Sequence, residues 1–207
     1  MLLTIIAFGD SLTTGFIPTC LAHQPYSRFL QQHLDRFLEQ RSLTKLRIKV
    51  LNRGVNGNLT SDMLLRFRWD VLNAQPQYVI ILGGTNDLGW GLPIDEIFDN
   101  LTAMYTRSQE NSIIPVCCTV PSILSWDTGI QPRIQLNTRI QAYCCQNHLR
   151  CVDLFTQTSN PHTRELRGEY SSDGLHLNEQ GYQKMADSIY YDAIHPLLIE
   201  NHETTSN

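Results

Sequence analysis

Five short stretches rich in Ile, Val, Leu, Phe and Tyr punctuate the chain, at residues 3–8, 46–51, 78–82, 113–119 and 151–154. Near-continuous apolarity over so few residues is the pattern of strands covered on both faces, as in a parallel sheet. Between them the period changes. Tyr26, Phe29, Leu30, Leu34, Phe37 and Leu38 recur on one side of a helical repeat, and Pro25 stands at its start, where a missing N–H costs nothing. A second helix is predicted behind Thr60 or Ser61 as N-cap, turning Met63, Leu64, Phe67 and Val71 inward. A third runs from about Pro93 through Ile94, Ile97, Phe98, Leu101, Met104 and Tyr105, and a fourth from about Pro132 through Ile134, Ile140, Tyr143 and Cys144. The last spans residues 179 to 199. Strands alternating with helices in this way predict an α/β domain with a doubly wound parallel sheet and helices on both faces. In such sheets ligands bind outside the carboxyl ends of the strands.

At 207 residues the chain fits a single domain, expected over residues 1–199, with 200–207 as a polar tail that frays. Sixteen basic and twenty acidic residues are interspersed, for a net charge of −4, so no basic stripe offers itself to phosphates. Nucleic acid is therefore excluded as a partner. No apolar run approaches the roughly 20 residues that cross a bilayer, which argues against stable membrane insertion. The opening Met1-Leu2-Leu3-Thr4-Ile5-Ile6-Ala7-Phe8 lacks a basic start and a cleavage site, reads as the first strand, and leads to the expectation of a cytoplasmic product. Cys20, Cys117, Cys118, Cys144, Cys145 and Cys151 do not follow zinc-ligand spacing and are read as buried thiols, with a disulfide among them left open. Nothing in the composition fixes an oligomeric state.

Four short polar blocks follow these strands: Gly9-Asp10-Ser11-Leu12, Asn52-Arg53-Gly54-Val55-Asn56-Gly57, Gly84-Thr85-Asn86-Asp87 and Asp173-Gly174-Leu175-His176. Each alone is an ordinary turn sequence. Together they contain the parts of a serine esterase: a nucleophile, a base with an orienting acid, and donors for a developing oxyanion. Ser11 directly follows a buried strand, and a turn through Thr13, Thr14 and Gly15 would leave its hydroxyl exposed. His176 is the candidate base, with Asp173 three residues earlier to hold its ring. His23, His33, His148, His162, His195 and His202 lack a comparable partner and are read as surface residues. The backbone N–H of Ser11, the backbone N–H of Gly57 and the side-chain amide of Asn86 are the proposed donors. Gly57 is otherwise a plain turn glycine, and Asn86 a residue that stabilises its own loop.

These residues resemble the GDSL family of hydrolases, and within it the SGNH subgroup. The resemblance rests on Phe8-Gly9-Asp10-Ser11-Leu12-Thr13, the stretch from Asn52 to Gly57, Gly83-Gly84-Thr85-Asn86-Asp87, and Asp173-Gly174-Leu175-His176-Leu177-Asn178. It implies a three-layer, flavodoxin-like fold with a five-stranded parallel sheet in the order 2-1-3-4-5, and neither metal nor organic cofactor. It also implies the catalytic roles of Ser11, Asp173 and His176 and an oxyanion hole of Ser11, Gly57 and Asn86. Gly54 competes with Gly57 for the second block. Gly57 is preferred because Asn58-Leu59-Thr60 and a helix start follow it, as in thioesterase- and lysophospholipase-like members.

The expected activity is hydrolysis of small carboxylic esters of short to medium acyl length. Trp90, with Ile123, Leu124 and Trp126 from the loop at 120–130, would wall an acyl groove, although they serve equally as plugs under long loops. Two alternatives remain: a carbohydrate O-acetylesterase using the same machinery, and a non-enzymatic flavodoxin-like binding module in which Asp10 stands where an acceptor aspartate would.

Overall fold

The computed structural model describes residues 2–204, with side chains as far as residue 200. Five parallel strands form its central sheet: β1 (Leu2–Gly9), β2 (Arg47–Gly54), β3 (Tyr78–Leu82), β4 (Ile114–Cys118) and β5 (Arg150–Val152). Their order is β2-β1-β3-β4-β5, the 2-1-3-4-5 arrangement that the family resemblance implies. The alternation of side chains along β1 and β3 explains the three layers. Ile5, Ala7, Tyr78, Ile80 and Leu82 belong to one apolar cluster, while Ile6, Phe8, Val79 and Ile81 belong to a second on the opposite face. Both faces are thus apolar, and each fully covered side chain of this size contributes about 2 kcal/mol.

The first cluster is closed by α1 (Tyr26–Gln40), which turns Tyr26, Phe29, Leu30, Leu34 and Phe37 inward, and by a C-terminal helical run. That run comprises α5 (Glu179–Ile189), a wide-turned π segment at Tyr190–Ile194, and α6 (His195–Thr204). The second cluster is covered by α2 (Thr60–Asp70), α3 (Ile94–Glu110) and α4 (Ile130–Gln146). Short helical turns at Ser11–Thr14, Thr85–Gly89 and Leu154–Thr158 open the segments after β1, β3 and β5. Among the described residues no helix is long and apolar enough to cross a membrane.

Several boundaries differ from the sequence pattern for local reasons. The fifth strand stops at Val152 because Asp153 caps the turn that Leu154 begins, accepting from the Thr156 amide at 3.2 Å. The N-cap of α2 is Leu59, and Thr60 is already helical; its amide and hydroxyl are received by Asp87, a side chain from another block. The final helix passes residue 199 and reaches Thr204, with Glu200 taking an ion pair from Arg150 of β5; residues 205–207 lie outside the described part. Cys117, Cys118 and Cys144 are buried and Cys151 partly so, but Cys20 and Cys145 are exposed, contrary to expectation. Burial pushes the Cys117 and Cys118 thiols up, which keeps them protonated and inert.

Parallel pairing in register brings Gly9 level with Gly54 on one side and Leu82 on the other. A Cβ at Gly9 would stand 2.3 Å from the Leu82 carbonyl oxygen and 2.3 Å from Thr13 Oγ1, so only glycine lets β1 turn there. Gly9→Ala is expected to lower stability by ~3 kcal/mol, read as a shift of the urea unfolding midpoint; an unshifted midpoint would contradict this account of the turn.

Candidate active site

The chain leaves β1 at Gly9 and turns at once into a single helical turn. Asp10 makes this turn: its Oδ1 accepts from the Leu12 amide at 2.9 Å, and its carbonyl accepts from the Thr13 and Thr14 amides. Ser11 therefore sits first in the turn, at the carboxyl end of the sheet. Its residue is only 5% exposed, more covered than the sequence suggested, because the His176 ring lies against the hydroxyl. Asp10 is fully buried, and its Oδ2 has no hydrogen-bond partner among the described residues. Burial pushes its carboxyl up to about 7 and the nearby Asp87 adds to this, against the Leu12 amide and the Arg66 charge.

The closing loop is as tightly organised. A bridge between Ser171 and Leu177 pins its two ends, and the Ser172 amide donates to the His176 carbonyl at 2.8 Å. Asn178 then caps α5 through the Gly181 amide and donates its side-chain amide to the Glu169 carbonyl. Within the loop, Asp173 Oδ1 accepts from the Leu175 and His176 amides at 3.0 and 2.7 Å. Its Oδ2 meets His176 Nδ1 at 2.9 Å, and His176 Nε2 meets Ser11 Oγ at 3.1 Å. Burial alone would raise the Asp173 carboxyl, but bonds from the His176 ring and these two amides outweigh it and hold the group below its ordinary value. Hydroxyl, imidazole and carboxylate are thus connected in series.

The other two blocks follow β2 and β3. Gly57 adopts φ +76°, and a Cβ placed on it would meet nothing within 4 Å, so it borders open space. Gly54, its competitor, is instead the last residue of β2, packed on the Thr14 amide. The Asn86 amide donates to the Asn58 carbonyl at 2.9 Å. Thr14 Oγ1 donates to Asn56 Oδ1, and Asn52 donates to the Thr13 carbonyl, tying the second block to the turn that carries Ser11.

A family model, the GDSL-like Lipase/Acylhydrolase family, matches residues 7–184. The chain belongs to this family. Among solved structures, the chain is similar to a lipase/acylhydrolase from Enterococcus faecalis, at 26% identity and TM-score 0.72, covering 90% of this chain and 93% of that one. An acetyl xylan esterase from Geobacillus stearothermophilus shares the fold at 18% identity and TM-score 0.75, over 92% and 94% of the two chains. A relative called an uncharacterized lipoprotein, YqeF of Bacillus subtilis, is 31% identical over 126 residues, 58% of this chain and 49% of its own length. The chain spans about half the length, or less, of the curated relatives it matches.

For this GDSL-like family member the residues expected to wall an acyl groove separate. Ile123 is buried, at 7% exposure. Leu124 is half-buried and its amide donates to the Gly174 carbonyl at 2.8 Å, which places it beside the histidine loop. Trp126 lies on Gly129 and near the guanidinium of the buried Arg133, while Trp90 is 79% exposed. Next to Leu124 opens a polar cleft of 270 Å³ bordered by Asn160, Thr163, Glu165, Arg167 and Glu169.

Sequence patterns missed other members of the site. Phe16, in a small hairpin with Ala22–His23, packs edge-on against the His176 ring at 5.5 Å. Only its place directly after Gly15 pointed to it. Arg66, which no sequence pattern singles out, reaches the Gly9 carbonyl. His33, expected at the surface without a partner, contacts Asp187 at 2.7 Å and stacks on Tyr190, because α1 and α5 pack face to face. His195 packs edge-on against Phe37.

The buried Asp10 yields a pH signature with a definite sign. Its folded value lies above the unfolded one, so the native state holds this proton more tightly, and stability falls as pH rises from about 4 to about 7. Asp10→Asn keeps an acceptor for the Leu12 amide without the charge. Its unfolding free energy relative to the native chain is expected to improve steadily across that window and then level off; parallel urea stability curves would refute the assignment.

Proposed function

We propose that the chain is a serine-dependent carboxylic-ester hydrolase acting through an acyl-enzyme on short to medium acyl esters. The observation that carries this reading is the 3.1 Å contact between Ser11 Oγ and His176 Nε2, side chains 165 positions apart in sequence. The family match supports ester hydrolysis in general.

The steps follow from the contacts. His176 Nε2 takes the Ser11 proton as Oγ attacks the ester carbonyl carbon, and Asp173, bonded at Nδ1, stabilises the imidazolium that forms. The carbonyl electron pair moves to oxygen, where the N–H groups of Ser11, Gly57 and Asn86 are the proposed donors. Collapse of this intermediate breaks the bond to the alkoxy oxygen, which leaves as alcohol with the proton from His176. The acyl group is now on Oγ. Water then adds to it, giving a proton to His176, and the acid departs as Ser11 recovers that proton. Asp173, held below its ordinary value, stays charged throughout.

A second reading, a carbohydrate O-acetylesterase, draws on the polar cleft beside Leu124, whose Asn160, Thr163, Glu165 and Arg167 suit hydroxyl groups. A hydrolysis panel separates the two. Faster turnover of p-nitrophenyl butyrate to octanoate than of acetylated sugars supports the lead, and activity confined to acetyl groups on glycans supports the alternative. A binding module would show no turnover and no labelling by a fluorophosphonate.

Ser11→Ala is expected to abolish p-nitrophenyl ester hydrolysis and fluorophosphonate labelling while the circular dichroism spectrum is retained. Full residual activity would eliminate Ser11 as nucleophile. Asn86→Ala is expected to reduce kcat by about 10²- to 10³-fold with a smaller change in KM; an unaltered kcat would remove Asn86 from the donors.

A further inference from the structure

We infer that Arg66 and Asn58 are positioning residues that fix the orientation of the Asn86 amide, an inference that rests on the reading of Asn86 as an oxyanion donor. Arg66 points in from α2, and its side chain is only 17% exposed. Nε donates to Asn58 Oδ1 at 2.7 Å, Nη2 to the Gly9 carbonyl at 2.8 Å, and Nη1 to the Arg53 carbonyl at 3.0 Å and Asp70 Oδ2 at 2.7 Å. The guanidinium lies over the Phe8 ring, 4.2 Å from its centroid. A helix-surface ion pair with Asp70 accounts for one of these contacts. The other three reach the ends of β1 and β2 and the loop that follows β2.

Asn58 is the link to the chemistry. Its side chain receives the Arg66 bond, while its own carbonyl accepts from the Asn86 amide at 2.9 Å. A primary amide carries two N–H groups in one plane. Fixing one of them on Asn58 sets the plane and so directs the other. The same turn, closed by the Asn58 amide on the Val55 carbonyl, contains Gly57. The Val55 amide also shares the Gly9 carbonyl with Arg66, two residues before Ser11. One guanidinium therefore gathers the approaches to all three proposed donors. Lysine cannot replace it, because a single ammonium on a flexible stem lacks the planar fork that reaches separate acceptors.

The test measures p-nitrophenyl butyrate hydrolysis by the full chain carrying Asn58→Ala or Arg66→Lys, each alone and combined with Asn86→Ala. Asn58→Ala keeps the Asn58 carbonyl and the contacts of Arg66 with Gly9 and Arg53, so it decides the matter even where Arg66→Lys misfolds. Each single variant is expected to lower kcat about tenfold with KM within about twofold, and to lower it less than about twofold further when Asn86 is already alanine. Unchanged kcat in Asn58→Ala, or an undiminished further drop in the Asn86→Ala background, would overturn the inference while leaving Asn86 as a donor. An unaltered kcat in Asn86→Ala would remove the donor and its support together, and an active Ser11→Ala would refute the broader reading independently.

Discussion

Three of the four polar blocks stand together because the strands they follow run the same way. Parallel pairing sends every carboxyl end to one edge, and the register that levels Gly9 with Gly54 and Leu82 sets three polar blocks side by side. The fourth block comes from no strand. Its imidazole reaches Ser11 because the bridge at Ser171 and Leu177 and the Asn178 cap anchor the loop to the start of α5, whose Tyr182, Met185 and Ile189 are buried in the same cluster as α1. Packing of two helices on one face of the sheet thus holds a hydrogen bond on its rim.

Beneath the site lies a second, polar layer. Asp10 and Asp87 are both buried, and burial raises both carboxyls, although Asp87 is compensated by the amide and hydroxyl of Thr60. Each organises a neighbour: Asp10 makes the turn that presents Ser11, and Asp87 caps α2, the helix that carries Arg66. Buried polar groups of this kind cost stability unless satisfied: Asp87 is met by Thr60 of α2 and Asp10 by the Leu12 amide, while the second Asp10 oxygen has no partner among the described residues. The positions most exposed to destabilisation are therefore also those that order the turn bearing Ser11 and the helix bearing Arg66.

The strands and the four blocks were legible in the sequence because both depend on local signals, whereas the sheet order came only with the family resemblance those blocks carry. Apolar runs such as Tyr78–Leu82 mark strands covered on both sides, and short polar sequences after them mark where strands end. The register, the bonding of Asp87 to Thr60 and the inward turn of Arg66 were not legible. They join residues from separate elements, and no periodicity within either element records the partner. Trp126 and Ile123 show the same limit: an apolar loop sequence does not say whether it faces a ligand, the core, or an arginine such as Arg133. His33 was misread for the reciprocal reason, since its carboxylate lies on α5, far along the chain.

The two outer strands of the sheet have a further consequence. β2 lies at one margin with Arg47, Lys49 and Arg53 exposed, and β5 closes the other with only three residues, beginning at Arg150. A second molecule extending the sheet by lateral strand addition would have to lay its peptide groups along a row of like positive charge, or along a margin too brief to hold it. The architecture that gathers the polar blocks on one rim thereby also discourages the chain from polymerising through its flanks.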